Sequence, residues 1–496
     1  MAKAVVHILL SPLLFAALLL SCHGQERKVH IVYMGERPQG DFSVASTHHS
    51  MLARVLGSTS TAKESLIYSY GKSFNGFAAK LTDEEVANFS GECQTSGKER
   101  NITTVCVLKA GLSINSFNLD GIPFPLIWGG DAANYSAGAD PDISKFCLNG
   151  PMNSDKVHGK IVFCETRGDG GTGILLAHGA GIIMADSSIT DFAFSYPLPA
   201  ALISVEDGLK IFDYIRSTEE PYATILVGET WKDVMAPYVV SFSSRGPNLI
   251  TRDILKPDIT APGVDILAAW SPVASPSENV HDTRSVKFNL LSGTSMSCPH
   301  TSGAAAYVKA AHPNWSPAAI KSALMTTAYI VDPKKHEDVL EFAYGSGQIN
   351  PLQAVNPGLV YDATEADYID FLCKQGYNTT TLKLITGDNS SFCNTLKPGR
   401  AWNLNYPSFA VAVEDGQQVN AVFTRTVTNV GSPNSTYTLR TYMPASITVT
   451  KKTFTVEVSG PKIAQQPIIS GAITWNYGVY AVRSPLVVYT ILPGSL

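Results

Sequence analysis

The segment with the clearest chemical character is 292–300, which reads Ser-Gly-Thr-Ser-Met-Ser-Cys-Pro-His. The residues that follow it as far as His312 are mostly small, and Pro313 closes the run. This pattern predicts a helix that begins close to Ser295 and packs tightly against a sheet. At a helix start, unpaired backbone N–H groups and the positive end of the helix dipole stabilise a developing oxyanion. The pattern therefore favours a serine that does chemistry.

A buried helix with a capping serine would show a similar pattern, because serine is among the preferred residues at helix amino termini. Pro299 fits either interpretation, since a proline near the first turn has no amide hydrogen bond to lose there. The nine-residue string is, however, much more specific than a capping serine requires. It resembles the nucleophile motif of the subtilisin-like serine proteases.

Further segments carry the same resemblance and narrow it to the plant-type subtilases. Two match the strand and loop before the serine in that family, two match its inhibitor propeptide, and two match its tail. They are 239–247, 256–263, 30–35, 70–79, 404–408 and 425–431. The resemblance implies a secreted serine endopeptidase that hydrolyses peptide bonds in protein or peptide substrates through an acyl-enzyme on Ser295.

The resemblance also divides the chain into segments. These are a signal peptide (1–24), an I9-type inhibitor propeptide (29–89), a remnant junction (90–110), a protease-associated insert (111–232), the carboxyl-terminal part of the peptidase domain (233–345) and a fibronectin type III-like domain (401–491). The fold class expected is α/β: an incomplete subtilisin-like parallel-sheet domain with an α+β propeptide, the insert and a C-terminal β-sandwich.

Local patterns support this division. The first segment reads as strands over 29–33, 65–70 and 76–81 with a helix over 48–56, and Thr82 followed by acids is typical of a helix start. In the insert, strands over 160–164 and 180–184 enclose a helical stretch over 173–181. Short alternating runs after residue 401 predict an antiparallel sandwich.

The partners that a catalytic serine needs are missing from the expected place. Serine needs a histidine base within about 3 Å and a carboxylate that orients the histidine. The family's chain order is Asp, His, Ser, so both partners should lie between propeptide and insert. That interval is 90–110 here, and it contains neither Asp nor His. The family's oxyanion-hole asparagine has no match either.

Histidines elsewhere are not better placed. The string 178–181, His-Gly-Ala-Gly, and the string 186–188, Asp-Ser-Ser, match the family's histidine and aspartate motifs superficially, but both lie inside the insert pattern. His300 is five positions after Ser295, and at about 100° per residue it points away. We therefore expect at most a trace of acyl transfer.

Three functional hypotheses follow. The first is a secreted subtilisin-like endopeptidase by family, catalytically deficient in this form. The second is a non-catalytic protein whose propeptide-like unit, residues 29–89, binds and inhibits an intact subtilase. The third is a cell-wall binding protein that uses the insert and the tail. The abrupt junction favours skipped exons or a faulty gene model over an evolved pseudoenzyme.

Composition excludes several classes of protein. Lys and Arg number 37 and Asp and Glu 42, so the net charge is −5 and no basic patch for nucleic acid is expected. A hydrophobic content of 45% excludes a disordered or fibrous chain. Lys3 and the apolar run 5–20 predict a signal peptide rather than a membrane anchor. We therefore expect an extracellular location, in the apoplast or cell wall, and no membrane partner once the signal peptide is removed. Surface glycosylation is expected at several Asn-x-Ser/Thr sites, which are Asn88, Asn101, Asn134, Asn314, Asn378, Asn389 and Asn434.

Cysteine and histidine spacing gives no metal or cofactor. Seven cysteines remain after the signal, an odd number, so at least one is unpaired within the chain. Cys373 and Cys393 flank a polar loop and could form a disulfide. No Cys-x-x-Cys or clustered-histidine spacing supports a zinc site, and no cofactor is predicted.

Overall fold

The computed structural model describes residues 27–33, 44–70, 76–82, 85, 111–188, 191–230, 236–393, 400–452, 455–465 and 468–491. The predicted signal peptide and the junction 90–110 lie outside these residues. Two compact units are formed. One holds the described residues up to Ser188 together with 196–228, and the other holds 191–195 and the described residues from Glu229 onwards.

The first segment is a three-stranded antiparallel sheet with two helices, as the sequence predicted for an α+β unit. Its elements are β1 (Lys28–Tyr33), α1 (Val44–Leu56), α2 (Thr59–Ser65), β2 (Leu66–Tyr70) and β3 (Gly76–Leu81), in the sheet order β1-β3-β2. The core consists of Leu52, Ala62, Phe77, Ala79 and Leu81.

The predicted helix start after β3 is present as a reciprocal capping pair. The Thr82 hydroxyl accepts a hydrogen bond from the Glu85 N–H at 3.2 Å, and the Glu85 carboxylate accepts one from the Thr82 N–H at 2.8 Å. Two backbone donors at the helix start are satisfied in this way.

Residues 111–228 contain a mainly parallel five-stranded sheet. The strands are β4 (Phe124–Trp128), β5 (Ile161–Cys164), β6 (Gly181–Ala185), β7 (Ala200–Ile203) and β8 (Tyr222–Ala223), in the order β7-β6-β5-β4-β8 with β8 antiparallel. The helices are α3 (Pro141–Ser144), α4 (Ser154–Val157), α5 (Thr172–Leu176) and α6 (Val205–Ser217). The helical stretch predicted over 173–181 ends at Leu176, because Gly179 and Gly181 belong to the turn and to β6.

Two disulfides are present among the described residues. Cys373 and Cys393 are bonded, as the sequence suggested, and Cys147 is bonded to Cys164 at the end of β5. The second pair had no sequence signal. Cys298 is a free, exposed cysteine.

Residues 236–360 contain few strands and several helices. A two-stranded antiparallel ribbon joins β9 (Ile266–Ala269) to β10 (Phe288–Leu291). The helices are α7 (Thr294–Ala311), α8 (Pro317–Thr326), α9 (Glu341–Tyr344) and α10 (Pro351–Ala354). The short strand β11 (Leu359–Val360) follows, and then α11 (Glu365–Lys374) and α12 (Thr379–Thr386).

A sandwich of two sheets closes the chain. Its strands are β12 (Phe409–Glu414), β13 (Gln418–Thr424), β14 (Thr428–Asn429), β15 (Thr438–Tyr442), β16 (Thr448–Lys452), β17 (Thr455–Lys462), β18 (Ile469–Tyr477) and β19 (Tyr480–Ile491). One sheet has the order β12-β19-β18-β15 and the other β13-β17-β16, while β14 pairs with β11. The predicted sandwich is confirmed, but it is not wholly antiparallel, because β12 runs parallel to β19.

The helical segment and the sandwich share buried side chains within their unit. Leu255 and Phe342 pack with Val487 and Tyr489 of β19 in one apolar cluster. The nearly buried carboxylate of Glu341 accepts a hydrogen bond from the Ser470 hydroxyl. Residues 236–345 are therefore stabilised partly by the sandwich that follows them.

No helix in the described part of the chain is both long and apolar enough to cross a membrane. Four of the predicted glycosylation sites are exposed there, which are Asn314, Asn378, Asn389 and Asn434. Glycosylation itself remains a prediction.

The buried His336 side chain is hydrogen-bonded to the backbone of the segment around Val239. The His336 Nε2 accepts a hydrogen bond from the Val239 N–H at 3.0 Å, and Arg245 donates to the Val239 carbonyl at 3.1 Å. The imidazole can accept this bond only while that nitrogen is unprotonated. Burial, reinforced by the positive charges of Arg245 and Lys335, lowers the pKa of His336 below its usual 6.5.

We expect acidification to lower the free energy of unfolding of the unit that contains His336, because this histidine takes up a proton. The unfolded chain takes up the proton at about pH 6.5, whereas the folded chain does so at lower pH. The contribution of neutral His336 is therefore complete above about pH 6.5 and is lost as the pH falls towards the folded pKa. The loss is about 1.4 kcal/mol for each pH unit that separates the unfolded pKa from the folded one. Urea unfolding followed by tryptophan fluorescence between pH 7.5 and 5 measures it.

The matched variants are His336→Gln, whose amide oxygen can still accept the Val239 N–H but does not titrate, and His281→Gln, at an exposed position. The first should flatten the pH dependence and the second should leave it unchanged. An unaltered slope in His336→Gln would contradict the assignment.

Candidate active site

The helix predicted to begin close to Ser295 is confirmed. Helix α7 begins at Thr294, so Ser295 is its second residue, and the side chain is exposed. Gly293 precedes the helix in an extended conformation and provides no capping side chain. Its carbonyl accepts the Met296 N–H at 3.0 Å. The helix start thus presents an accessible hydroxyl beside backbone donors that no side chain caps, which is the arrangement an oxyanion requires.

The loop 261–263 holds this helix start in place. The Gly293 N–H donates to the Gly263 carbonyl at 2.8 Å, and the Ser297 hydroxyl donates to the Ala261 carbonyl at 3.0 Å. A Cβ on Gly263 would lie 3.0 Å from the Gly293 carbonyl oxygen and 3.1 Å from the Ser297 Cβ. Glycine at 263 therefore permits the close approach that positions Ser295.

The interpretation of Pro299 was wrong. Pro299 is inside the helix, five residues after Thr294. In an α-helix the nitrogen at this position would donate to the carbonyl of Ser295, four residues earlier, and proline has no hydrogen to donate. The Ser295 carbonyl therefore cannot receive the usual bond from the residue four positions later. The predicted start near Ser295 was correct, but a helix that begins there has already completed its first turn before Pro299.

The expected tight packing of α7 against a sheet is also not observed. Only Ala304 and Val308 are buried along its 18 residues, and they pack against α8. Gly303, Ala306 and Tyr307 are exposed. The small side chains that suggested a buried helix therefore face solvent on most of its surface.

The described histidines in the unit that contains Ser295 either bond to other groups or lie in another loop. The His300 Nδ1 lies 2.8 Å from the Met296 carbonyl on the exposed side of α7. The His312 Nε2 lies 2.7 Å from the Val355 carbonyl, and His336 is bonded to Val239. His281 is in an exposed loop. Across the described residues, no hydrogen bond joins the Ser295 hydroxyl to a histidine.

The two superficial motif matches cannot form a catalytic pair with each other. His178 lies before β6 and Asp186 follows it, so the two lie at opposite ends of a five-residue strand. Four steps of about 3.3 Å separate the ends of such a strand by about 13 Å. Asp186 is occupied by the Ser188 N–H and hydroxyl, and these bonds lower the pKa of its carboxyl.

A carboxylate that sequence reasoning did not single out individually connects the segment before the serine with the tail. Asp258 accepts a hydrogen bond from the buried Tyr406 hydroxyl and forms a 2.7 Å ion pair with Lys256. Burial, with the negative charge of Asp258, raises the pKa of Tyr406 above its usual value. Asp258 and Tyr406 belong to segments 256–263 and 404–408, which the resemblance had already quoted, but nothing local showed that they meet.

Three family models match the chain. Residues 178–347 match the subtilase family, residues 29–92 match peptidase inhibitor I9 and residues 403–488 match a fibronectin type-III domain. The first match begins inside the predicted insert 111–232, so the boundary between insert and peptidase segment remains a prediction.

Individual relatives are plant proteins. Subtilisin-like protease SBT4.3 of Arabidopsis thaliana is 44% identical over 77% of this chain and 54% of its own length. Subtilisin-like protease SBT4.6 of the same species is 43% identical over 76% of this chain and 52% of its own length. The chain thus spans about half the length of the curated relatives it matches.

Two glycine replacements test the environment of α7. Gly303→Ala should raise the free energy of unfolding by about 0.5–1 kcal/mol, because alanine favours helix and the structure leaves the added methyl group in open space. Gly263→Ala should lower it by about 1–3 kcal/mol, because its methyl group would press on Gly293 and Ser297.

Urea titration at constant pH measures both changes, and each variant serves as the control for the other. Destabilisation by Gly303→Ala would show that another part of the protein covers this face of α7. A neutral Gly263→Ala would show that the loop 261–263 does not fix the helix start.

Proposed function

Because this chain belongs to the subtilase family and has plant subtilisin-like proteases as relatives, we propose that it is a secreted subtilisin-like serine endopeptidase with an incomplete catalytic apparatus. Its substrates would be proteins or peptides, and Ser295 would be the nucleophile. The observation that carries the proposal is the exposed Ser295 hydroxyl at an uncapped helix start, without a histidine bonded to it among the described residues.

The helix start supports part of the reaction. The Ser295 oxygen would attack the scissile carbonyl carbon, and the carbonyl oxygen would take up negative charge as the tetrahedral intermediate forms. The Ser295 N–H and the positive end of α7 are suited to stabilise that oxygen. These groups belong to the backbone, so they depend only on the helix start and on its bond to Gly263.

Proton transfer is the part that lacks support. The serine proton needs an acceptor during attack, and the leaving amine needs a donor afterwards; in the family one histidine does both. The chain has no histidine or aspartate over 90–110. Loss of triad members costs about 10⁶-fold in kcat in a subtilisin, with a residual rate from the oxyanion hole and substrate binding.

Secretion rests on the amino-terminal sequence. Lys3, the apolar run 5–20 and the polar break at Ser21 are typical of a signal peptide. The two disulfides support the same compartment, because disulfides persist in oxidising environments.

Labelling with a fluorophosphonate probe tests the proposed deficiency. The probe reacts with an activated serine, and we expect the purified chain to be labelled no faster than its Ser295→Ala variant. A full-length subtilase that retains Asp, His and Ser is the positive control. Peptide hydrolysis measured on the same samples should differ from the positive control by several orders of magnitude.

Rapid labelling that Ser295→Ala abolishes would overturn the deficiency and would show that an unrecognised base serves Ser295. Labelling that persists in Ser295→Ala would place the reactive serine elsewhere and would remove Ser295 as nucleophile.

A further inference from the structure

Two exposed histidines lie side by side in the segment 111–228. His158 follows helix α4, and His178 lies between α5 and β6. Their ring centroids are 6.1 Å apart, with an angle of 63° between the ring planes. The two residues are 20 positions apart in the sequence, so no local spacing indicated that they meet.

The parallel sheet is what brings the two rings together. Ile161 of β5 is paired with Gly181 of β6, and each histidine stands three residues before its strand's paired residue. The Gly159 N–H donates to the His178 carbonyl at 3.0 Å, and the Ala180 N–H donates to the Lys160 carbonyl at 2.8 Å. These bonds join the two turns, so the backbone fixes the spacing of the two residues, and the exposed imidazoles lie side by side.

The separation is suited to one shared metal ion. An ion about 2.0–2.1 Å from an imidazole nitrogen lies about 3.2 Å from the ring centroid. Two imidazoles on one ion then have centroids about 4.5 Å apart at a right angle and about 6.4 Å apart in a straight line. The observed 6.1 Å lies within this range but is wider than the about 5.2 Å of a tetrahedral ion, so binding would draw the two rings slightly together.

We propose that His158 and His178 form a surface site for a borderline-soft divalent cation such as Cu²⁺ or Zn²⁺. Imidazole nitrogen is a preferred ligand of these ions, and a calcium or magnesium ion would require oxygen donors instead. No group of three or more metal-ligating side chains occurs in the part of the chain that the structure describes, so water completes the coordination shell. The order of affinities at such a site is Cu²⁺ above Zn²⁺.

The competing explanation is an edge-to-face contact between two rings. Aromatic pairs prefer centroid separations of about 4.5–7 Å, and this pair fits that range as well. The two explanations differ in what they need from the ring: the contact needs only a π-system, whereas the metal site needs nitrogen. His158→Phe therefore separates them, because phenylalanine keeps the ring and removes the donor.

Isothermal titration of the full chain with CuCl₂ and with ZnCl₂ tests the site at neutral pH, after free thiols such as Cys298 have been blocked with N-ethylmaleimide. We expect one binding event that weakens at least tenfold in His158→Phe. His178→Asn should have the same effect, and asparagine tolerates the positive φ of 58° at this position. His281→Gln, at an exposed loop histidine, should leave the event unchanged.

Circular dichroism of each variant confirms that the fold is retained, and electron paramagnetic resonance of the Cu²⁺ complex should show two equivalent nitrogen ligands. Binding should also weaken on acidification, because protons compete with the metal for imidazole. Unaltered affinity in both His158→Phe and His178→Asn, or no binding by the parent chain, would overturn the proposal and would leave the edge-to-face contact. None of these readouts depends on protease activity.

Discussion

A serine hydroxyl attacks a carbonyl only when a base accepts its proton, and this requirement limits everything that helix α7 can do. In the proposed reaction, backbone would supply one half of the chemistry: the helix start, the N–H groups beside Ser295 and the loop bonded through Gly263. The other half must come from side chains that a different part of the chain carries. The local motif can therefore be well formed while the reaction it belongs to is not supported.

Helix α7 also buries less of its surface than several other parts of the described structure. The sandwich and the sheet of residues 111–228 have well-defined buried cores, whereas α7 buries Ala304 and Val308 and leaves most of its small side chains in solvent. The neighbouring ribbon β9–β10 exposes Leu267 and Phe288 by 68% and 62%. Helix α7 is held by the core that it shares with α8, and the segment 236–345 is also held by the packing of Phe342 against Tyr489 of β19.

The sequence predicted an element correctly where all the residues that determine the element lie within one short segment. The three strands before residue 82, the Thr82–Glu85 capping pair and the helix start near Ser295 depend on residues a few positions apart. The prediction that α7 packs tightly against a sheet was wrong for a physical reason. Small residues allow another element to come close to a helix, but the residues of that other element decide whether it does. The parallel pairing of β12 with β19 was missed because strands 77 residues apart leave no local trace of their pairing direction.

Long-range proximity becomes predictable only when two local predictions are combined with a topology. The strands over 160–164 and 180–184 were both anticipated, and parallel pairing of neighbouring strands is the usual outcome of a β-α-β unit. Residues at equal distances before two such strands must then meet at the same edge of the sheet. His158 and His178 satisfy this condition, so the signal existed in the register rather than in the spacing. No comparable inference places a base beside Ser295, because residues 90–110 contain neither a histidine nor an aspartate.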